Sequence, residues 1–190
     1  MNDASLFEQL RNKNFSASKI FFERYYGRML ALCRRYAGNN EEALKTLFDI
    51  YDSTLEFLLN NLVEPKESVW PHLKLSLIKQ LIKYQKDSGL AFRVSNTVHP
   101  KSQFELDFNL FAQSERIELN TVSRDILTLA IQQLSPSHRL IYNLCSIDQF
   151  SNDEVSELME YNLDMVLINY EKAKYQLYKN IERILYKPMA

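Results

Sequence analysis

The stretch FSNDEVSELMEYNLDMVLINYEKAKYQL, residues 150–177, has the spacing of two helices joined by a short turn. Ser151, followed three residues later by Glu154, is typical of a capping box at a helix start. A second helix is predicted to begin after Asn162. With Leu163 at zero on a helical wheel, one side of that helix carries Val166, Tyr170, Ala173 and Leu177. The pattern predicts a helix pair whose second member packs on a core.

The rest of the chain is also predicted to be helical. Apolar and aromatic residues recur at three- and four-residue steps from Ser16 to Tyr36, and a second helix is predicted over residues 41–59. A third, VWPHLKLSLIKQLIKYQK, follows the breaker Pro65. The segments TVSRDILTLAIQQL and SPSHRLIYNLCSID predict two more. Only three glycines and five prolines are available for turns, so the sequence predicts an all-α protein.

Two small helical domains joined by a linker are predicted. Residues 1–86 form the first and residues 120–190 the second, which contains the helix pair. Residues 87–119 show no sustained period and carry five acidic against three basic residues, which indicates a linker. Because residues 104–111 read FELDFNLF, we expect this part of the linker to dock on one or both domains.

Composition excludes several classes of function. A net charge of −1 argues against a wholesale polyanion binder and leaves room for a local basic face. No apolar run approaches the roughly 20 residues that cross a bilayer, so we expect a cytoplasmic protein without membrane contact. Cys33 and Cys145 are predicted to be buried thiols, and His72, His99 and His138 lack metal-ligand spacing. Without a phosphate loop, nucleophile elbow or paired carboxylates, the sequence predicts no enzyme, metal or cofactor.

The C-terminal pattern resembles a known family. The residues that carry it are Leu134, Pro136, Arg139, Ile141 and Leu144, then FSNDEVSELM, then Val166, Tyr170, Ala173 and Leu177. They resemble the C-terminal domain of bacterial extracytoplasmic-function sigma factors, in which a Leu-Pro helix leads into a helix-turn-helix. The N-terminal stretch FFERYYGRMLALCRRYAGNNEEALKTLFDIY resembles the N-terminal domain of the same family. The likeness covers residues 15–86 and 121–185, including the order of the two domains.

This resemblance implies a sigma factor that directs core RNA polymerase to promoter DNA and is restrained by a possible anti-sigma protein. It places polymerase contacts on the 41–59 helix, at Lys45, Phe48, Asp49 and Asp52. Lys45 and Phe48 stand where the family usually carries an acidic residue and a glutamine.

The resemblance also places VWPHLKLSLIKQLIKYQK at the promoter-melting helix. There it implies DNA contacts by Lys79, Lys83, Tyr84 and Lys86. The three lysines fall within about 60° on the wheel, and no acidic residue lies between Trp70 and Lys86. The alternative is that they form the solvated face of an amphipathic helix.

The upstream promoter element would be read by Asn169, Lys172 and Lys174. The wheel puts the following residues opposite the core side: Met165, Ile168, Asn169, Lys172, Tyr175 and Gln176. Asn169 can pair with adenine and the lysines with phosphates. The alternative is a sigma-like interaction module that has lost promoter reading and binds a protein partner, because this helix start has no Arg and lies among acidic residues. Trp70 and the aromatic residues of FFERYY are predicted to be core.

Overall fold

The computed structural model describes residues 2–62, 68–89 and 118–186. Within these ranges the chain is helical and contains no strand, which confirms the predicted all-α class. The chain divides into two compact units, Met1–Asp87 and Ser88–Ala190, called here the N-terminal and C-terminal units. The predicted docking of the linker segment FELDFNLF lies outside the described residues.

The N-terminal unit contains four described helices. They are α1 (Asp3–Arg11), α2 (Phe15–Tyr36), α3 (Asn40–Asn61) and α4 (Trp70–Asp87). Side-chain caps fix the starts of α2 and α3: Asn14 accepts a hydrogen bond from the Ser16 amide at 2.9 Å, and Asn39 accepts one from the Glu42 amide at 2.8 Å. The sequence had predicted no helix ahead of Ser16, so α1 is an addition that the structure makes.

The core of this unit lies among α2, α3 and α4, with α1 packed on α2 and α3. Its fully buried side chains include Leu6, Phe21, Met29, Tyr36, Leu47, Leu58, Leu73 and Leu77. Each helix contributes an apolar stripe, since the residues repeat at helical spacing. Truncating a side chain such as Leu77 to Ala is expected to cost about 2–5 kcal/mol.

Asp3 joins three helices of the N-terminal unit. Its carboxylate accepts hydrogen bonds from Arg24 Nη1 at 2.7 Å, from the Tyr25 hydroxyl at 2.5 Å and from the Val69 amide at 3.0 Å. The first two bonds attach α1 to α2, and the third reaches the residue that precedes α4. The residue before α4 is therefore held by the side-chain carboxylate of Asp3 in α1.

In the described part of the C-terminal unit, the first element is a 3₁₀ turn at Leu119–Thr121. Its α-helices are α5 (Arg124–Gln132), α6 (Pro136–Tyr142), α7 (Asn152–Met159) and α8 (Leu163–Leu185), and α6 continues as a π-helical turn over Asn143–Ile147. Helix α8 packs against α5, α6 and α7. A buried cluster at its centre is formed by Ala130, Ile131, Leu134, Tyr142, Ala173, Leu177 and Ile181.

The predicted capping box at the start of α7 is confirmed. The Ser151 amide donates to Glu154 Oε2 at 2.7 Å, and the Glu154 amide donates to Ser151 Oγ at 3.2 Å. The amide and hydroxyl hydrogen bonds from Ser151 lower the pKa of Glu154. Helix α7 ends at Met159, the following residue Glu160 has a left-handed φ of 58°, and Asn162 caps α8. Three residues therefore separate the two helices.

The two thiols differ in exposure. Cys33 is fully buried, as predicted, whereas Cys145 is only half-buried, so the prediction for Cys145 was wrong. Cys145 lies in the π-helical turn after α6, where its Sγ donates to Asn152 Oδ1 at 3.7 Å. Burial raises the pKa of Cys33 to about 12 and that of Cys145 to about 11, so both stay protonated at neutral pH.

Candidate functional site

Helix α4 carries the lysines that were predicted to bind DNA. Lys79 and Lys83 are exposed, while Tyr84 and Lys86 are half-buried. The opposite side of the helix buries Leu73, Ser76, Leu77, Ile78, Leu81, Ile82 and Gln85. The basic residues thus project from a helix that the core holds in place, and their role in binding stays a prediction.

A cleft of about 380 Å³ opens beside Lys79, between the end of α3 and the start of α4. Its lining consists of Phe57, Leu58, Asn61, Leu62, Pro71, His72, Leu75, Ser76 and Lys79. The Lys79 ammonium lies 5.5 Å from the centroid of the Phe57 ring. An apolar cleft with an aromatic wall and a cation at its edge has the chemistry to hold a planar base beside a phosphate.

Trp70, at the start of α4, was predicted to be a core residue, but it is not fully buried. It is half-buried and stacks on Tyr25 with ring centroids 6.2 Å apart and ring planes 11° apart. The guanidinium of Arg28 lies 5.5 Å from the centroid of its ring. Part of the indole therefore stays accessible, where the sequence pattern alone predicted full burial.

A second aromatic group joins α2 to α3. Phe22 stacks on Phe48 at 6.0 Å, meets Tyr51 edge-on at 4.9 Å and contacts Tyr26 at 5.3 Å. Phe48 is 57% exposed, and Phe22 and Tyr26 are half-buried, so the prediction that all of FFERYY is core holds only for Phe21 and Tyr25. Desolvation, with the nearby charge of Asp52, raises the pKa of Tyr51 to about 12.

The residues predicted to bind polymerase share the exposed side of α3. Lys45, Phe48, Asp49 and Asp52 are all exposed. Asp49 accepts a hydrogen bond from the Tyr84 hydroxyl of α4 at 3.2 Å. The structure thus brings one predicted polymerase contact and one predicted DNA contact together, although the sequence assigned them to separate surfaces.

Asn169 was predicted to face a DNA groove, and this prediction is wrong. Its side chain is only 7% exposed, and its Nδ2 donates to the Met165 carbonyl at 2.7 Å. The amide is also hydrogen-bonded to His138 of α6. The physical reason is that α6 covers this side of α8, so the buried arc is wider than the stripe of apolar residues indicated.

The two predicted lysines of α8 are partly engaged within the helix. Lys174 Nζ pairs with Glu171 Oε1 at 2.6 Å and lies 4.7 Å from the Tyr170 ring centroid. Lys172 is half-buried, and its charge lowers the pKa of His138. The predicted adenine and phosphate contacts therefore do not form a common exposed surface.

The exposed residues in the first two turns of α8 are instead apolar and acidic. Leu163 and Leu167 are each 40% exposed, and Ile168 is 43% exposed. Residues 151–171 contain no Lys or Arg and six acidic residues, namely Asp153, Glu154, Glu157, Glu160, Asp164 and Glu171. The sequence pattern placed Ile168 and Gln176 outward, and both are exposed, but it also placed the buried Asn169 there.

Two general properties of the described residues concern the site. They contain no group of three or more His, Cys, Asp or Glu side chains placed to hold a metal ion. No helix among residues 2–62, 68–89 and 118–186 has the length and apolar character needed to span a bilayer.

Comparison with other proteins gives no family assignment. Neither the models of known protein families nor the curated proteins match this sequence. The relation to extracytoplasmic-function sigma factors therefore stays a proposal that depends on the residues themselves.

Proposed function

We propose that the chain is a divergent sigma factor of the extracytoplasmic-function type. It would bind core RNA polymerase and promoter DNA as a transcription initiation factor and catalyse no reaction itself. The observation that carries this proposal is the basic side of α4 beside the cleft at Phe57, in a helix whose first acidic residue is Asp87. The sequence resemblance supplies the functional context.

Electrostatics supports nucleic-acid binding at this place. Lys79 and Lys83 are exposed on one side of α4, with Lys86 near them on the same side. Three lysines can neutralise about three phosphates, and the accompanying release of counterions makes such binding favourable and salt-dependent. The apolar cleft beside Lys79 adds a surface on which a base removed from the stack can pack.

Exposed groups on α3 support a protein contact on the neighbouring surface. Phe48 exposes more than half of its side chain and is held by stacking on Phe22. Lys45, Asp49 and Asp52 surround it with charges of both signs. An aromatic residue within a polar rim is a common arrangement at protein interfaces, and core polymerase is the partner that the resemblance implies.

The test of the polymerase contact compares two exposed phenylalanines. Phe48→Ser is expected to weaken the complex with bacterial core RNA polymerase by at least about tenfold. Phe15→Ser changes a side chain that is 85% exposed on α2 and outside the proposed surface, and it should leave affinity unchanged. Equal affinity of wild type and Phe48→Ser, measured by fluorescence anisotropy of labelled chain, would contradict the proposed polymerase contact.

The C-terminal unit favours a second candidate. Helices α7 and α8, separated by three residues, have the lengths and spacing of a helix-turn-helix, which supports the family resemblance. Their exposed surface, however, is acidic and apolar, which opposes contact with a phosphate backbone. The second candidate is therefore a sigma-like module in which this unit binds a regulatory protein, such as an anti-sigma protein, in place of the upstream promoter element.

A DNA-binding assay separates the two candidates. In the first, replacing Lys172 and Lys174 with Gln weakens binding of the polymerase complex to double-stranded promoter fragments. In the second, the same variant binds those fragments as the wild type does. The comparison uses the complete chain in both cases, with core polymerase present.

A further inference from the structure

We infer that the outward side of α8 binds a basic amphipathic helix of a partner protein. This surface, called here the α8 acidic face, consists of Leu163, Asp164, Leu167, Ile168 and Glu171. The inference deepens the second candidate function of the C-terminal unit by naming the chemistry of the partner. It does not depend on nucleic-acid binding by the N-terminal unit.

The α8 acidic face is continuous. At about 100° per residue, its five members fall within about 140° of one another, on the side opposite the buried Val166 and Ala173. Asp164 and Glu171 lie between Leu167 and Ile168 on this side. Lys174, which pairs with Glu171 at 2.6 Å, lies within the same arc between Leu163 and Leu167. The surface therefore places two neighbouring carboxylates, one of them paired with a lysine, between two leucines and Ile168 along about two turns of helix.

The apolar residues of this face need an explanation. Leu163, Leu167 and Ile168 each expose about two-fifths of their surface. Leu163 and Leu167 are neighbours four residues apart, and Ile168 lies on the other side of the two carboxylates. Scattered exposed leucines are ordinary, whereas neighbouring ones on one helix face are typical of a binding surface. Their spacing of four and five residues suits the apolar stripe of a second helix laid alongside.

Charge determines which helix fits. Two acidic residues, Asp164 and Glu171, lie on the face, and Lys174 pairs with Glu171 at 2.6 Å. The segment 151–171 has no Lys or Arg, and its other four acidic residues lie on α7 and in the turn before α8. A duplex or an acidic helix would be repelled, whereas Lys or Arg residues beside an apolar stripe would be attracted. The linker of this chain, with five acidic against three basic residues, lacks that complementarity. The occupant is thus a separate basic amphipathic helix.

The test uses the complete chain and synthetic peptides of about 18 residues. The probe is a helical peptide with a leucine stripe flanked by lysines. One comparison peptide has glutamates in place of the lysines, and another has the same composition in scrambled order. Fluorescence anisotropy should detect binding of the ordered lysine peptide, weakened by salt, and at least about tenfold weaker binding of both comparison peptides.

Matched variants locate the contact. Leu167→Ser together with Ile168→Ser should weaken peptide binding by at least about tenfold. Leu129→Ser alters a leucine of α5 that is 46% exposed in the same unit, and it should have no effect. Circular dichroism of each variant checks that the helices persist. Lys83→Glu should leave peptide binding unchanged, so a failure of nucleic-acid binding at α4 is distinguishable from a failure here.

Four results with peptides or DNA would overturn the inference. The first two are that the lysine peptide does not bind, or that the scrambled peptide binds equally well. The other two are that the Leu167 and Ile168 variant binds the lysine peptide as tightly as the wild type does, or that the wild type binds double-stranded DNA and this variant does not. A wild-type chain that dimerises in sedimentation experiments, and a variant that does not, would assign the face to a second copy and also contradict the inference.

Discussion

The hydroxyl of Tyr84 donates a hydrogen bond to Asp49 Oδ2 at 3.2 Å, which joins α4 to α3 near the basic side of α4. Under the proposed function, Tyr84 belongs to the DNA-binding helix and Asp49 to the polymerase-binding helix. Both residues lie near solvent, so the bond adds little stability, and under the proposed function it links the two binding surfaces. Binding at one surface can therefore affect the side chain at the other.

Tyr84→Phe tests whether the ring or the hydroxyl matters. Removal of a hydrogen bond in an exposed position is expected to lower the free energy of unfolding by less than about 1 kcal/mol. If the ring contacts a base, the variant should keep its affinity for single-stranded DNA, whereas Tyr84→Ala should lose several-fold. Urea denaturation and anisotropy measure the two quantities. An equal loss of affinity in both variants would show that the hydroxyl is the important group.

Asp3→Asn should destabilise the N-terminal unit. Asparagine is uncharged and has one acceptor oxygen in place of two, so it cannot keep all the hydrogen bonds from Arg24, Tyr25 and the Val69 amide. We therefore expect a loss of about 1–2 kcal/mol in the free energy of unfolding. Asp125→Asn, in the first turn of α5, is the matched change in the other unit. Denaturant unfolding of the complete chain, followed by tryptophan fluorescence of Trp70, reports on the N-terminal unit.

The contribution of Asp3 should also depend on pH. Partial burial opposes its ionisation, but the hydrogen bonds from Tyr25 and Val69 and the pairing with Arg24 hold its pKa below the ordinary 3.8. Because the pKa is lower in the folded state, the stabilisation is present above about pH 4 and is lost as the pH falls through the folded value. The stability difference between wild type and Asp3→Asn should shrink from pH 7 to pH 3. A constant difference would contradict the role assigned to the carboxylate.

His138 should make the C-terminal unit less stable in mild acid. Burial lowers the pKa of His138 below 6.5, and the charge of Lys172 lowers it further. The hydrogen bond with Asn169 raises the pKa but does not offset these effects. The unfolded chain therefore takes up a proton at a higher pH than the folded chain, and stability falls as the pH drops below about 6.5.

His138→Gln should flatten this pH dependence between pH 7 and pH 5. The same substitution at His72, which is exposed on α4, is the control for the exchange of histidine for glutamine. Thermal unfolding at several pH values, followed by circular dichroism, measures both. Parallel curves for wild type and His138→Gln would show that another group titrates.

Helix positions could largely be predicted from the sequence, whereas side-chain exposure could not. The capping box of Ser151 and Glu154 acts through local hydrogen bonds, so its sequence spacing was sufficient. Helix α1 was missed because its apolar residues Leu6, Phe7 and Leu10 span few turns, although Asn2 is a typical N-cap. Its attachment through Asp3 involves residues 21 and more positions away, which no local pattern reveals.

For the site residues, too, the helix could be predicted more readily than the exposure of each side chain. The outward side of α4 followed from the spacing of its lysines, because one apolar stripe fixes the orientation of an amphipathic helix. For α8, three helices contact its buried side, and the contact with His138 of α6 encloses the polar Asn169. A polar residue at the edge of the buried arc cannot be assigned to the buried or the exposed side without knowing which neighbouring helix covers it.

The most direct test of the central claim is the salt dependence of single-stranded DNA binding by the complete chain. Three phosphate contacts predict a slope of about −2 for the logarithm of the binding constant against the logarithm of salt concentration. Replacing Lys79 and Lys83 with Gln should reduce the slope to about −0.7. Replacing the exposed Lys19 and Lys179 with Gln should leave it near −2. Binding without salt dependence, or equal slopes in the two double variants, would contradict nucleic-acid binding by α4.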